Sequence, residues 1–458
     1  MQSTPTHSRG FIRRFLPLAA FALALGLSAG ASTQAVRAAE AGPALAFPGA
    51  QGWAAHTPGG RGGAILRVTT LDAEGPGSFL EAVRTPGPRT IVFEVGGVID
   101  LDLKTVRITE PFLTIAGQTA PAPGVTFIRG GFDIATHDVI VRHIRIRPGD
   151  AGQPKRSGVD FDAISTVRAH DVIVDHCSLT WGTDEGLSAS GTRFAVGGRT
   201  VEDFRAGTSR RITFSNNLIA EGLAYASHGK GEHSKGTLVH DHVQDILIVG
   251  NLYAHNYERN PLFKGGVSGQ VLNNLIYNPG ARAAHYNLIA EEWIGHAYET
   301  GRMILRGNVL RAGQDTKKLA FFMIGGSGDV DLYLDDNLTV DVIGQTSIPE
   351  IGRYTTAPVK VNRLRTPPAL PFGVKLLPSA QVQDAIIAAA GATPWNRDPI
   401  DRRIVADVIE GRGEIIDSQE EVGGYPQYAP TRKPFVEAEW NLDTMEPLAG
   451  YQRGEPLR

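Results

Sequence analysis

Little in this sequence favours a disulfide-stapled, metal-thiolate or membrane-spanning architecture. The 458 residues contain one cysteine, Cys177, so no intrachain disulfide can form. No second thiol lies near it to complete a zinc or redox pair, and it reads as a buried small hydrophobe. Charge of one sign is lacking too. The 45 Lys+Arg stand against 48 Asp+Glu, a formal net charge of −3, which offers no bulk attraction to nucleic acid or to an anionic membrane. Any anionic partner has to be held by a local basic cluster. A charged fraction of 20% is too low for a disordered chain, and 42% hydrophobic residues suffice for a large core. Long apolar runs are confined to residues 15–27, shorter than the roughly 20 residues that a spanning helix needs. What abounds instead is glycine, 54 residues, with 28 prolines. These punctuate regular structure and exclude long helical bundles.

The short apolar run has its own meaning. Arg9, Arg13 and Arg14 precede it, and small residues ending in Val36-Arg37-Ala38-Ala39 follow it, the pattern of a secretory signal peptide over residues 1–39. Arg13-Arg14-Phe15-Leu16 leaves twin-arginine export open beside the general route. The mature chain is expected to be secreted or periplasmic.

Between residues 90 and 340 a short pattern recurs: apolar residues alternating at period two, then Asn or His, then another apolar residue. Val139-Ile140-Val141-Arg142-His143-Ile144, Val172-Ile173-Val174-Asp175-His176-Cys177, Thr213-Phe214-Ser215-Asn216-Asn217-Leu218 and Leu247-Ile248-Val249-Gly250-Asn251-Leu252 align. Weaker copies end at Asn274, Asn308 and Asn337. Taking His143, His176, Asn217 and Asn251 as the first four markers, the spacing is irregular but persistent. Short strands so spaced, with no helical pattern between them, fit an all-β, single-stranded right-handed parallel β-helix better than a sandwich, whose turns recur every 8–12 residues. Stacked coils let the marker amides hydrogen-bond along an internal ladder; ordinary turn asparagines are the plainer reading of the same residues. Residues 79–84 read as a capping helix. The β-helix is expected over residues 40–350, and residues 351–458 as a Pro-rich extension with two short helices, 379–390 and 398–409, packed along its outside.

The densest polar cluster lies between residues 150 and 190. Asp160 and Asp162 stand at i and i+2, and Asp184 and Glu185 follow one coil later. Converging carboxylates suit a calcium ion, or the acid and base of a glycoside hydrolase, or simply a solvated acidic loop; spacing does not separate these. Lys230, Lys235, Arg259 and Lys264 follow on successive coils. If the coils align them, cations face carboxylates across one groove that suits a polyanionic saccharide.

Several blocks resemble polysaccharide lyase family 1, the pectate lyases, across essentially all of the mature chain. They are Gly52-Trp53-Ala54-Ala55-His56-Thr57-Pro58-Gly59-Gly60-Arg61-Gly62-Gly63, Asp160-Phe161-Asp162-Ala163-Ile164 with Val172-Ile173-Val174-Asp175-His176, and His233-Ser234-Lys235-Gly236-Thr237-Leu238. Arg259-Asn260-Pro261-Leu262-Phe263-Lys264-Gly265-Gly266 resembles the family's Arg-x-Pro-x-x-Arg segment with lysine at its last basic position, and Val422-Gly423-Gly424-Tyr425-Pro426 resembles one bacterial branch.

The resemblance implies β-elimination in a uronic acid polymer, pectate or a relative, leaving a 4,5-unsaturated sugar. It implies Ca2+ on Asp160, Asp162 and Asp184, with Glu185 compensating for Ser188 where the family often has a further carboxylate. It implies Arg259 as the base, with Lys235 and Lys264 binding substrate carboxylates and disfavouring a further charge on Arg259. The partner is an acidic polysaccharide, with neither nucleic acid nor membrane, and the chain is expected to act as a monomer. Two other readings stay open on the sequence: a β-helical polygalacturonase-type hydrolase, and a non-catalytic glycan-binding β-helix.

Overall fold

The computed structural model describes residues 44–449; the expected signal peptide, residues 1–39, lies outside them. Strands stack into sheets of eleven, nine and ten members, parallel throughout except for the antiparallel edge strand Thr431–Arg432 of the last, each coil of the central stack adding one strand to each. One coil runs through His170–Asp175, Ser178–Thr180 and Glu185–Ser190 before Arg210–Ser215 opens the next. The architecture is a parallel β-helix. Strand pairing continues through Val361–Arg363.

Period-two alternation explains the coil. Val172 and Val174 enter the central core, where they meet Leu179, Leu187 and Ala189 from the other two sheets. Ile173, between them, faces the other way and is covered by Phe47, Ala50 and Ala54 of the N-terminal segment. The strand is therefore apolar on both faces, as strands buried on both faces are. At one end of the stack the helix Phe79–Arg84, N-capped by Ser78, places Phe79 against Phe132 at 5.2 Å and Phe127 at 4.7 Å. That closes the core.

The amide ladder is present, with a shift in phase. Asn217 Nδ2 donates to Asn251 Oδ1 at 3.0 Å, Asn251 to Asn274 at 2.9 Å, Asn274 to Asn308 at 3.0 Å and Asn308 to Asn337 at 2.9 Å. Continuing upstream, the ladder position is Cys177, whose N–H donates to Asn217 Oδ1 at 2.9 Å, not His176. His143 and His176 instead occupy the preceding left-handed bend (φ 58° and 49°), as Asn216 and Asn273 do. Gly250 and Gly307 fill the same bend at φ 71° and 64°, where only glycine is free of Cβ strain. The histidines thus belong to a different column from the amides. Asn251→Ala is expected to lower stability by about 2 kcal/mol, because the buried Asn217 N–H loses its acceptor and Asn217 Nδ2 keeps only Val174 O. An unchanged urea unfolding midpoint would refute the ladder's contribution.

The C-terminal segment carries two helices, Ser379–Ala389 and Pro399–Glu410. Val382, Ile386, Ile404, Val405 and Val408 from them bury Leu218, Leu252, Leu275 and Val309 on the outside of the ten-stranded sheet. Asp398 caps the second helix by accepting from Asp401 N at 2.9 Å.

Candidate active site

The bend between the ten-stranded and nine-stranded sheets differs widely in length along the stack. It spans residues 148–163, 181–184, 221–234 and 255–261 on four successive coils. Those four segments carry Asp160 and Asp162, then Asp184, then His228, Lys230 and His233, then Glu258 and Arg259. The outer face of the nine-stranded sheet forms a groove of about 260 Å³ beside them. Asp184, Glu185, Lys230 and Arg259 line it, as do Arg193, Lys264 and Glu292, with Leu238, Leu262 and Ile289 as its apolar surface.

Asp162, Asp184 and Glu185 come together, with one carboxylate oxygen from each within 4.8 Å of the others. The strand Glu185–Ser190 does this by pairing directly with Ile164–Val167. Ser188 Oγ donates to Asp162 Oδ2 at 2.5 Å and Glu185 N–H to Oδ1 at 2.9 Å. Ser188 thus orients a carboxylate. Burial, then the neighbouring charge of Asp184, push the Asp162 carboxyl well above its ordinary range. Asp184 is also raised by burial, but His233, whose Nε2 lies 2.6 Å from Asp184 Oδ1, brings it to a net value below the ordinary one. Asp160 stands slightly apart and half-exposed, 3.6 Å from His228 Nε2.

Sequence reasoning missed the two histidines. Their rings stack at 3.7 Å, 3° from parallel, beneath the carboxylates. Lys230 N–H donates to His228 Nδ1 at 3.1 Å. That leaves Nε2 as the protonated nitrogen of the neutral ring, turned toward Asp160 and Asp184 as a donor. The hints in the sequence are alternation of His and Lys before a strand, a common surface pattern, and the place of His233 at the head of the block ending at Leu238.

Arg259 sits at φ 62°, uncommon for a long side chain, and its Nη1 contacts Glu185, which is itself buried. Burial lowers the guanidinium below its ordinary value, opposed by Asp184 and Asp162. This differs from the expectation that Lys235 and Lys264 would disfavour its charge, since both lysines are neutralised elsewhere. Lys235 Nζ lies 2.8 Å from Glu258 Oε1 and 3.4 Å from Glu232 Oε1, and burial brings its ammonium down to about 8. Glu258 also contacts Arg282. Glu185, Lys235 and Glu258 fall in one register column, where opposite charges on neighbouring strands stabilise and like charges do not. Lys264 lies toward the other edge, against Glu292 and 3.6 Å from Asp241.

No family model matches the chain. It is 31% identical over 384 residues to a probable pectate lyase C of Aspergillus flavus, covering 83% of this chain and 81% of that protein. It is 30% identical over 384 residues to a probable pectate lyase C of Emericella nidulans, covering 83% and 80%. Among solved structures, the pectate lyase Bsp165PelA from Bacillus sp. N165, in complex with trigalacturonate, superposes with a TM-score of 0.50 at 13% identity, covering 76% of this chain and 99% of that one.

Proposed function

The chain belongs to the pectate lyase family and is a polysaccharide lyase, and on that premise we propose that it is an exported, calcium-dependent enzyme that cleaves polygalacturonate or a related uronic acid polymer by β-elimination. The observation that supports this most is the meeting, in one groove, of a carboxylate cluster with Arg259, which contacts its Glu185. Residues 1–39 supply the export signal in this reading.

In its neutral form, which burial favours, Arg259 takes the proton from C5 of the sugar and becomes the guanidinium ion that Glu185 pairs. The electrons of that C–H bond form the C4–C5 double bond, the C4–O bond breaks, and the departing oxygen is protonated from water. Glu185 holds the Arg259 side chain at the groove, and Lys235, in the same register column and buried between Glu258 and Glu232, fixes the charges beneath it. The carboxylate cluster suits a hard divalent cation. Burial and the neighbouring charge of Asp184 hold the Asp162 carboxyl well above its ordinary range, and the adjacent imidazole of His228 presents a proton, not a lone pair. Asp160, Asp162 and Asp184 would hold the calcium, with Glu185 beside them, and its charge would acidify the proton next to a bound carboxylate.

Two measurements test this reading. With polygalacturonate at alkaline pH, ultraviolet absorbance of unsaturated product is expected to rise with calcium and to stop with excess chelator. Calcium is also expected to raise the melting temperature of the wild type and not that of Asp184→Asn. Reducing ends without unsaturated product would make the enzyme a hydrolase, and a melt indifferent to calcium would remove the metal from these residues.

A further inference from the structure

Arg193, which no sequence pattern singled out, lines the same groove as Arg259. Its Nε lies 2.8 Å from Asp241 Oδ2 and its Nη2 2.8 Å from Glu292 Oε2. Lys264 Nζ contacts the same Glu292 oxygen and lies 3.6 Å from Asp241 Oδ2. Two cations therefore converge on one carboxylate oxygen that the protein itself supplies. The two acids differ in kind. Asp241 is fully buried and is fixed through its other oxygen by Trp293 Nε1 and Gly265 N–H, both at 2.9 Å. Its charge belongs to the scaffold. Glu292 is about one-third exposed and rides on the short turn Ala290–Trp293. Trp293, buried against Phe194 at 5.2 Å, anchors that turn and presents Glu292 to the groove.

Without Glu292 the subsite would carry Arg193 and Lys264 against Asp241, an excess of one positive charge and a ready acceptor of a free uronate carboxylate. With it the charges balance. A free carboxylate must then displace or adjoin a like charge, whereas an esterified one meets no such penalty and finds Leu262 and Ile289 in the same groove. We propose that Glu292 is a specificity-determining residue: it fills the carboxylate position between Arg193 and Lys264, so that this subsite takes a methyl-esterified uronate in preference to a free one. The inference rests on the lyase reading above.

The test compares kcat/KM on highly methyl-esterified pectin with kcat/KM on polygalacturonate, for the wild type and Glu292→Gln, a change of nearly equal shape on a partly exposed side chain. The variant is expected to lower the esterified-to-free ratio about tenfold, through a lower KM on polygalacturonate with kcat little changed. A merely structural role would raise KM on both polymers alike. An unchanged ratio, or a KM on polygalacturonate that rises, overturns the proposal. Should Glu292→Gln fold poorly by its thermal melt, Glu292→Ala carries the same expectation. Retention in native gels containing either polymer reads the same ratio without turnover. If no polymer yields unsaturated product, the lyase reading fails, and gel retention still decides the subsite.

Discussion

Arg259→Lys is expected to lower kcat by about 10²–10⁴-fold, the usual contribution of a placed proton-transfer group, while the melting temperature stays within a few degrees of the wild type. Lysine keeps a positive charge against Glu185 but has neither the length nor the planar fork that carries the guanidinium to the reacting carbon. Alanine is the less informative replacement. Read as a groove position, Arg259 looks dispensable for stability, but its partner Glu185 is 3% exposed, and truncation would strand a buried carboxylate at a cost of about 3–5 kcal/mol. Loss of activity in the alanine variant could then reflect a damaged groove. Steady-state kinetics on polygalacturonate with a parallel melt decide the matter: a lysine variant that turns over like the wild type moves the base elsewhere.

A large loss of stability is also expected far from the groove, from Asp401→Ala. Arg145, Arg147, Asp398 and Asp401 are all essentially inaccessible to solvent. Arg147 Nη2 lies 2.8 Å from Asp401 Oδ1, Arg147 Nη1 2.6 Å from Asp398 Oδ2, and Ser178 Oγ donates to Asp401 Oδ2 at 2.7 Å. Removing one acid leaves a guanidinium buried and underpaired, which costs about 3–5 kcal/mol and loosens the C-terminal helices from the ten-stranded sheet. The exposed pair Lys155–Asp417, at 3.0 Å, makes the contrast: Asp417→Ala is expected to cost less than about 1 kcal/mol. Guanidinium unfolding of both variants measures the difference, and equal midpoints would show that the buried charges do not clamp the tail.

The clamp also has a defined acid limit. Burial alone would raise the Asp398 carboxyl, but Arg147 and Arg145 beside it bring it far below the ordinary carboxylate range. For a carboxyl depressed on folding, the stabilisation is complete above the unfolded value of about 3.9 and is lost as pH falls through the lower, folded one. The tail is therefore expected to stay docked in mild acid.

What the sequence determined by itself is what repeats or is locally spaced. Alternation at period two, broken by Asn and small residues at each bend, determines a stacked parallel coil, because every coil must bury one face and satisfy the same bend. Asp160, Asp162 and Asp184 were legible as a carboxylate group, and the segment from Arg259 to Lys264 as basic, since both are short motifs on or beside strands. The phase of the ladder was less legible, because His176 and Asn217 look alike as polar bend residues while Cys177 holds the amide position in the earlier coil.

Only the tertiary structure decided which charge meets which. Bends of sixteen, four, fourteen and seven residues join the same two sheets on successive coils, so distance along the chain says nothing about distance across the groove. Backbone register brings Glu185, Lys235 and Glu258 into one column, and Trp293 brings Glu292 onto Arg193 and Lys264, 99 and 28 residues away. Local patterning specifies the rungs through side-chain alternation. The pairing of charges between rungs follows from hydrogen-bonded stacking, which no single stretch of sequence contains.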